Sequence, residues 1–92
     1  MAIVDEQVNA AAQQAQSGRL DLAIPALEAA LRTEPGHAEG NRVMSLALVQ
    51  TGRPEQALEH IQRAIRTSPQ RADLHATLGS LLTRFGQNDR AI

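Results

Sequence analysis

Histidines are the side chains of this sequence that most readily bind a metal or transfer a proton, and there are three, His37, His60 and His75. Their spacing matches no common metal site, and there is no cysteine to complete one. We expect His37 in a loop, His60 on an outer helix face and His75 at a contact between helices. Aspartates and glutamates are scattered, with no pair placed for acid–base catalysis. The sequence therefore predicts no enzyme, no metal site and no cofactor.

The charge and hydropathy of the chain argue against two further classes of partner. Nine basic and ten acidic residues leave a net charge of −1, and no basic run suggests nucleic-acid binding. The first residues have neither the basic nor the apolar region of a signal peptide, and no apolar run approaches the roughly 20 residues of a membrane helix. We expect a cytoplasmic protein that binds neither nucleic acid nor membranes.

The elements that position the side chains are predicted to be helices. Phe85 is the only aromatic residue, Ala, Leu, Ile and Val supply most of the apolar content, and no stretch alternates cleanly with a period of two. Helical patterns are bounded by glycine and proline. We expect an all-α fold with five helices and a short C-terminal stub that begins near residue 88. The five predicted helices are 4–17, 20–33, 38–51, 54–67 and 72–85.

The sequence repeats when it is shifted by 34 residues. Three sets of small or helix-breaking residues then coincide: Gly18, Gly52 and Gly86; Ala23, Ala57 and Ala91; Pro35 and Pro69. Each glycine is expected to close a helix, because it adopts the left-handed conformation without a Cβ clash. A second alanine lies seven residues after Ala23 and after Ala57, which indicates a small-residue stripe that lets helices pack closely. The register predicts antiparallel helix pairs stacked on one another.

Pro25 conflicts with this pattern, since it lies four or five residues into its helix. It can be tolerated if the helix begins at Leu20 or Asp21, because the first four N–H groups of a helix have no intrahelical partner. Otherwise Pro25 should kink the helix.

The register resembles the tetratricopeptide repeat, a 34-residue helix–turn–helix unit that recurs in bacterial arrays. The resemblance covers essentially the whole chain, 1–92, as a single domain with units 4–37, 38–71 and 72–92, the last incomplete. It implies a right-handed stack of antiparallel helix pairs. Polar residues replace the large fourth residue of each unit, which implies light packing and modest stability; these are Gln7, Asn41 and His75.

In this family the first helix of each unit lines a groove that binds a peptide or helix of a protein partner. The resemblance implies these groove residues: Val8, Asn9, Ala12, Ala15 and Gln16 from the first unit; Glu39, Arg42, Val43, Leu46, Val49 and Gln50 from the second; Asp73, Ala76, Thr77, Ser80, Thr83 and Arg84 from the third. Arg42 and Arg84 are candidates for binding a carboxylate, or are solvated charges paired with Glu39 or Asp73. Asp73 stands where repeats that bind acidic chaperone tails have a basic residue, which argues against that partner.

An apolar face on the last helix leaves two alternatives open. Its residues are Leu74, Leu78, Leu81, Leu82 and Phe85. Either the next helix of a longer protein covers this face, or two chains bury it in a homodimer. Correspondingly, the chain is a freestanding interaction scaffold or the N-terminal targeting or substrate-presenting module of a larger enzyme. For the second alternative, the run Gly52–Leu58 is similar to repeats that precede bacterial sulfotransferase or glycosyltransferase domains.

Overall fold

The computed structural model describes residues 2–90, and these form five α-helices joined by short turns. The helices are α1, Ala2–Gln16; α2, Leu20–Thr33; α3, Ala38–Gln50; α4, Pro54–Thr67; and α5, Ala72–Arg90. No strand occurs among these residues. The predicted all-α fold is confirmed.

Two of the three repeated glycines close helices as predicted. Gly18 and Gly52 have φ angles of +82° and +79°, in the left-handed region that favours glycine. The next residue in each case donates its N–H back across the turn: Arg19 to the Gln14 carbonyl and Arg53 to the Leu48 carbonyl, both at 2.8 Å. This is the hydrogen bond of a Schellman motif, and it lets the second helix of each pair fold back on the first.

The prediction that Gly86 ends the last helix is wrong. The α5 helix continues through Gly86 to Arg90, so the predicted stub begins inside α5, and residues 91 and 92 lie outside the described part of the chain. A glycine within a helix costs only about 1 kcal/mol, and a turn becomes favourable when a following helix packs back on the one before it. Within residues 2–90 no such helix follows α5.

Pro25 lies inside α2, which runs without interruption from Leu20 to Thr33. The N–H that proline lacks would have bonded the carbonyl of Asp21, in the first turn of the helix. Asp21 is exposed, so water can satisfy that carbonyl. The helix begins at Leu20 and tolerates Pro25, but not for the predicted reason: Pro25 is its sixth residue, outside the first four N–H groups, so one hydrogen bond is lost.

The core follows the small-residue stripes of the second helix in each pair. Each stripe combines two alanines with one large aliphatic side chain, all fully buried: Ala23, Leu27 and Ala30 in α2; Ala57, Ile61 and Ala64 in α4. The α2 helix packs between α1 and α3, and α4 packs between α3 and α5. Alanine permits these close helix contacts, while Leu27 and Ile61 fill the space between the helices.

Gly40 marks the place where α3 comes closest to the first helix pair. A Cβ at this position would lie 3.1 Å from the Leu31 side chain and 3.3 Å from that of Val8. Val8 is fully buried there, and Val43 on the same helix as Gly40 is 4% exposed. The prediction that Val8 lines a binding groove is therefore wrong, because it belongs to the core, whereas Val43 belongs to the core and also lines the space between α1 and α3.

Candidate functional site

The first helices of the three units, α1, α3 and α5, form a common surface that we call the inner groove. The α3 helix contacts both α1 and α5, whereas α2 and α4 do not contact each other. Two depressions lie along it, of about 140 Å³ between α1 and α3 and about 210 Å³ between α3 and α5. Leu46 and Gln50 line both depressions and form the ridge between them.

The structure brings most of the predicted groove residues together around this ridge. The predicted residues that line a depression are Ala12, Ala15, Gln16, Arg42, Val43, Leu46, Val49, Gln50, Ser80 and Arg84. Asn9 and Thr77 line neither, and the Thr77 hydroxyl donates to the Asp73 carbonyl of its own helix at 2.9 Å. Ala47 and Leu81 complete the lining and were not predicted, because both also belong to the core.

Four charged side chains border the inner groove and form an ionic cluster: Glu39, Arg42, Arg71 and Asp73. Arg42 donates twice to the Glu39 carboxylate, at 2.6 and 3.1 Å. Arg71 donates to Glu39 at 2.9 Å and to Asp73 at 2.6 and 3.1 Å. The guanidinium of Arg42 is therefore already occupied by a bidentate carboxylate, the pairing that competes with its use as a ligand anchor.

The pKa values of the ionic cluster reflect these bonds. Hydrogen bonding from Arg42, and then from Arg71, lowers the Glu39 pKa to about 2, although partial burial opposes the shift. The hydrogen bond to Glu39 raises the pKa of Arg42, and the hydrogen bonds to Asp73 and then to Glu39 raise the pKa of Arg71. Hydrogen bonding from Arg71 also lowers the pKa of the exposed Asp73 carboxyl. All four groups are thus held in their charged forms.

Acid is expected to weaken the fold through Glu39. Because its pKa is lowered in the folded state, the stabilisation is complete above the ordinary value of 4.5 and disappears as the pH falls to about 2. We expect Glu39→Gln to lower the free energy of unfolding by about 1–2 kcal/mol near pH 7, since solvent screens this partly exposed group, and to have almost no effect near pH 2. Urea unfolding followed by circular dichroism measures both values.

Glu6→Gln is the matched control, since Glu6 is exposed and forms no ion pair with a described side chain. Its effect should be small at both pH values. A destabilisation by Glu39→Gln that stays constant with pH would contradict the role assigned to the Glu39 charge.

The last residue of a unit bonds the second residue of the same unit in both complete repeats. His37 Nε2 lies 2.6 Å from the Asp5 carboxylate, and Arg71 bonds Glu39 across the same separation of 32 residues. Arg71 was not among the predicted site residues. The signal was present in the sequence, because Asp5, Glu39 and Asp73 coincide under the 34-residue shift, as do His37 and Arg71.

The fourth residue of a unit bonds the proline carbonyl of the unit before it. The Asn41 amide nitrogen donates to the Pro35 carbonyl at 2.9 Å, and His75 Nε2 lies 2.9 Å from the Pro69 carbonyl. Polar side chains at this position therefore join consecutive units, a role that replaces the packing of a large residue. His75 was predicted at a contact between helices, but it is exposed and its bond goes to a loop carbonyl.

The expected outer-face position of His60 needs correction, whereas His37 lies in a loop as predicted. His60 was predicted on an outer face, but it is half-buried and its Nδ1 lies 2.9 Å from the Asn41 amide oxygen. Both hydrogens of the Asn41 amide nitrogen are used by carbonyls, so its oxygen accepts and His60 Nδ1 donates. His37 caps α3, where its Nδ1 accepts from the Gly40 N–H at 2.9 Å.

The predicted self-association face is only partly available at the surface. Leu74 and Leu81 are 0% and 4% exposed, because they pack into the core against α4 and α3. Their inclusion in that face was wrong. Leu82 is 51% exposed, and Leu78 and Phe85 are half-buried.

The described residues contain no group of three His, Cys, Asp or Glu side chains that could hold a metal ion. Among the described helices, none is both long enough and apolar enough to cross a membrane.

Comparison with known families agrees with the helix pairs. A family model described as “Tetratricopeptide repeat” matches the chain over two overlapping segments, residues 14–81 and 48–92. The two segments together extend over most of the chain. No curated protein matches the sequence.

Proposed function

Since the chain belongs to the tetratricopeptide-repeat family, we propose that it is an interaction scaffold that holds a peptide or a helix of a protein partner in the inner groove. Repeats of this family generally mediate protein–protein interactions. The function proposed for this chain is more specific, since it names the surface and the kind of ligand.

Leu46 is the observation that carries the proposal. It is 37% exposed in the middle of α3, although large apolar side chains nearby on the same helix, Met44 and Leu48, are 3% exposed. A depression lies on each side of it, so two side chains of a ligand can enter the depressions while its backbone crosses Leu46. Leu46 therefore offers an apolar contact at the centre of the inner groove, with polar side chains such as Gln50 and Ser80 nearby to orient a ligand.

The charges along the inner groove favour a ligand that is mainly apolar. Arg42 is paired with Glu39 beside the α1–α3 depression, so it offers little charge to a ligand. Arg84 lines the α3–α5 depression together with Ser80, is exposed, and forms no ion pair with a side chain in the described part of the chain. We therefore place a ligand carboxylate beside Arg84 and apolar ligand side chains beside Leu46.

Selection from a display library of random peptides on the immobilised chain tests the proposal. Selected peptides should be rich in apolar residues with one acidic residue, and Leu46→Glu should weaken their binding by at least about tenfold, as for a central interface residue. Arg84→Ala should weaken the binding of only those peptides that carry the acidic residue. Fluorescence anisotropy with labelled peptides gives the dissociation constants.

Leu22→Glu is the matched control, because Leu22 is 43% exposed on α2, away from the inner groove. Binding by this variant should equal that of the original chain. Peptides that bind Leu46→Glu as tightly as the original chain would contradict the proposal. Selection of no peptide at all would also contradict it and would redirect the search to a repeat module attached to a catalytic domain.

A further inference from the structure

Within residues 2–90 one face of α5 has no covering helix, whereas α4 covers the same face of α3. Under the 34-residue shift, Leu78 corresponds to Met44 and Leu82 to Leu48. On α3 these residues are each 3% exposed, because α3 packs more extensively against α4 than any other helices of the chain pack together. On α5, Leu82 is 51% exposed and Leu78 is half-buried.

The small residue at the centre of this face shows the same difference. Ser45 of α3 is fully buried, whereas Gly79, which occupies the equivalent position on α5, is exposed and would have no atom within 4 Å of an added Cβ. Gly86, seven residues later, is also exposed with nothing within 4 Å. Leu78 also packs against the core that α4 and α5 share, so this apolar surface continues an existing interface.

We propose that this face, formed by Leu78, Gly79, Leu82, Phe85 and Gly86, binds the same face of a second copy of the chain through an antiparallel pair of α5 helices. We call it the α5 face. It goes beyond the inner groove, since it lies on the side of α5 that a second helix of the third unit would cover. The occupant is a second copy because the α5 face is complementary to itself.

The self-complementarity follows from the order of large and small residues along the helix. In an antiparallel pair with its two-fold axis at Leu82, residues equally far before and after Leu82 lie at the same level. Leu78 then lies level with Gly86 of the second copy, and Phe85 lies level with Gly79 of the second copy. Each layer combines one large side chain with one glycine, so the helices can approach closely without leaving a void.

The composition of the α5 face also suits a dimer. All five of its residues are uncharged, so burying them against a second copy leaves none of these side chains as an unpaired buried charge. A single pair of helices buries less area than a standard stable interface. We therefore expect a weak dimer, with a dissociation constant on the order of 0.1 mM.

Chemical cross-linking through one introduced thiol tests the geometry, because the chain contains no cysteine. In the Leu82→Cys variant the two thiols meet at the two-fold axis, so a short bifunctional maleimide should convert most of the protein to covalent dimer. Leu22→Cys is the control: it places a thiol on a comparably exposed leucine position of α2 and should give only the slow background reaction. Equal cross-linking of both variants would overturn the proposal.

Sedimentation equilibrium of the full chain measures the association itself. Leu82→Glu should weaken it at least about tenfold, by burying a charge at the two-fold axis. Gly86→Leu should also weaken it at least about tenfold, because the new side chain meets Leu78 of the second copy, yet it should raise the melting temperature of dilute monomer by replacing a helical glycine. Association of Gly86→Leu as strong as that of the original chain would overturn the assigned register.

A chain that remains monomeric up to about 1 mM would overturn the proposal, since a dimer of the expected strength is then mostly formed. In that case the α5 face is covered by a different helix, either from another protein or from a longer chain.

Discussion

Replacing Leu27 with alanine is expected to lower the free energy of unfolding by about 3–5 kcal/mol. Leu27 is fully buried where α2 packs between α1 and α3, and its neighbours along the stripe, Ala23 and Ala30, are too small to fill the space it would leave. A domain of 92 residues has a total stability of roughly 5–14 kcal/mol. The substitution therefore removes a large part of what keeps the chain folded.

Urea unfolding monitored by circular dichroism measures this loss, and Leu22→Ala supplies the comparison within the same helix. Leu22 is 43% exposed, so truncating it should cost no more than about 0.5–1 kcal/mol. Comparable effects of the two substitutions would show that Leu27 does not have the packing role assigned to it.

Replacing Asn41 with alanine is expected to cost about 2–4 kcal/mol. Asn41 is fully buried, and its amide joins three elements: it donates to the Pro35 and His37 carbonyls and accepts from His60. Alanine would leave the His60 ring N–H and the Pro35 carbonyl without these partners in a region that is partly shielded from water. Leaving such groups unpaired costs more than a hydrogen bond contributes.

A double-mutant cycle with His60→Ala separates this network from a simple loss of packing. The two substitutions should show a coupling of about 1–2 kcal/mol, since each removes a partner of the other. Asn9→Ala, at an exposed asparagine of α1, should change the stability by less than about 0.5 kcal/mol. Additive effects of Asn41→Ala and His60→Ala would mean that their hydrogen bond contributes nothing.

The helix pairs could be predicted from the sequence because local signals and packing agree there. The limits predicted for the second and fourth helices, 20–33 and 54–67, are those observed for α2 and α4. At Gly18 and Gly52 the left-handed turn is supported by the helix that follows. At Gly86 the residue type is the same, but no described helix packs back on α5, so the helix continues. The glycine permits a turn, and tertiary packing decides whether it forms.

The candidate site could be predicted in outline, since the repeat register identifies which helices face the groove. The register alone does not separate groove from core: Val8 was assigned to the groove but is fully buried, whereas Val43 is a core residue that also lines the α1–α3 depression. Leu74 and Leu81 were misassigned for the same reason. The pairing of Arg42 with Glu39 was one of the predicted alternatives, but the part of Arg71 was missed because it lies in a loop, 32 residues from Glu39, where helical periodicity carries no information.

The contact between the last and the second residue of a repeat unit allows the central unit to be repeated without changing its sequence. Residues 38–71 carry Glu39 and Arg71, which bond each other, and Asn41 and the Pro69 carbonyl, which bond the neighbouring units on either side. Tandem duplication of this segment would place Arg71 two residues before a new glutamate, as it now precedes Asp73, and would place a new asparagine beside Pro69. Each junction would inherit its polar bonds without any further substitution. The array can therefore lengthen by duplication of this segment, since the duplicated units already carry the residues that bond one unit to the next.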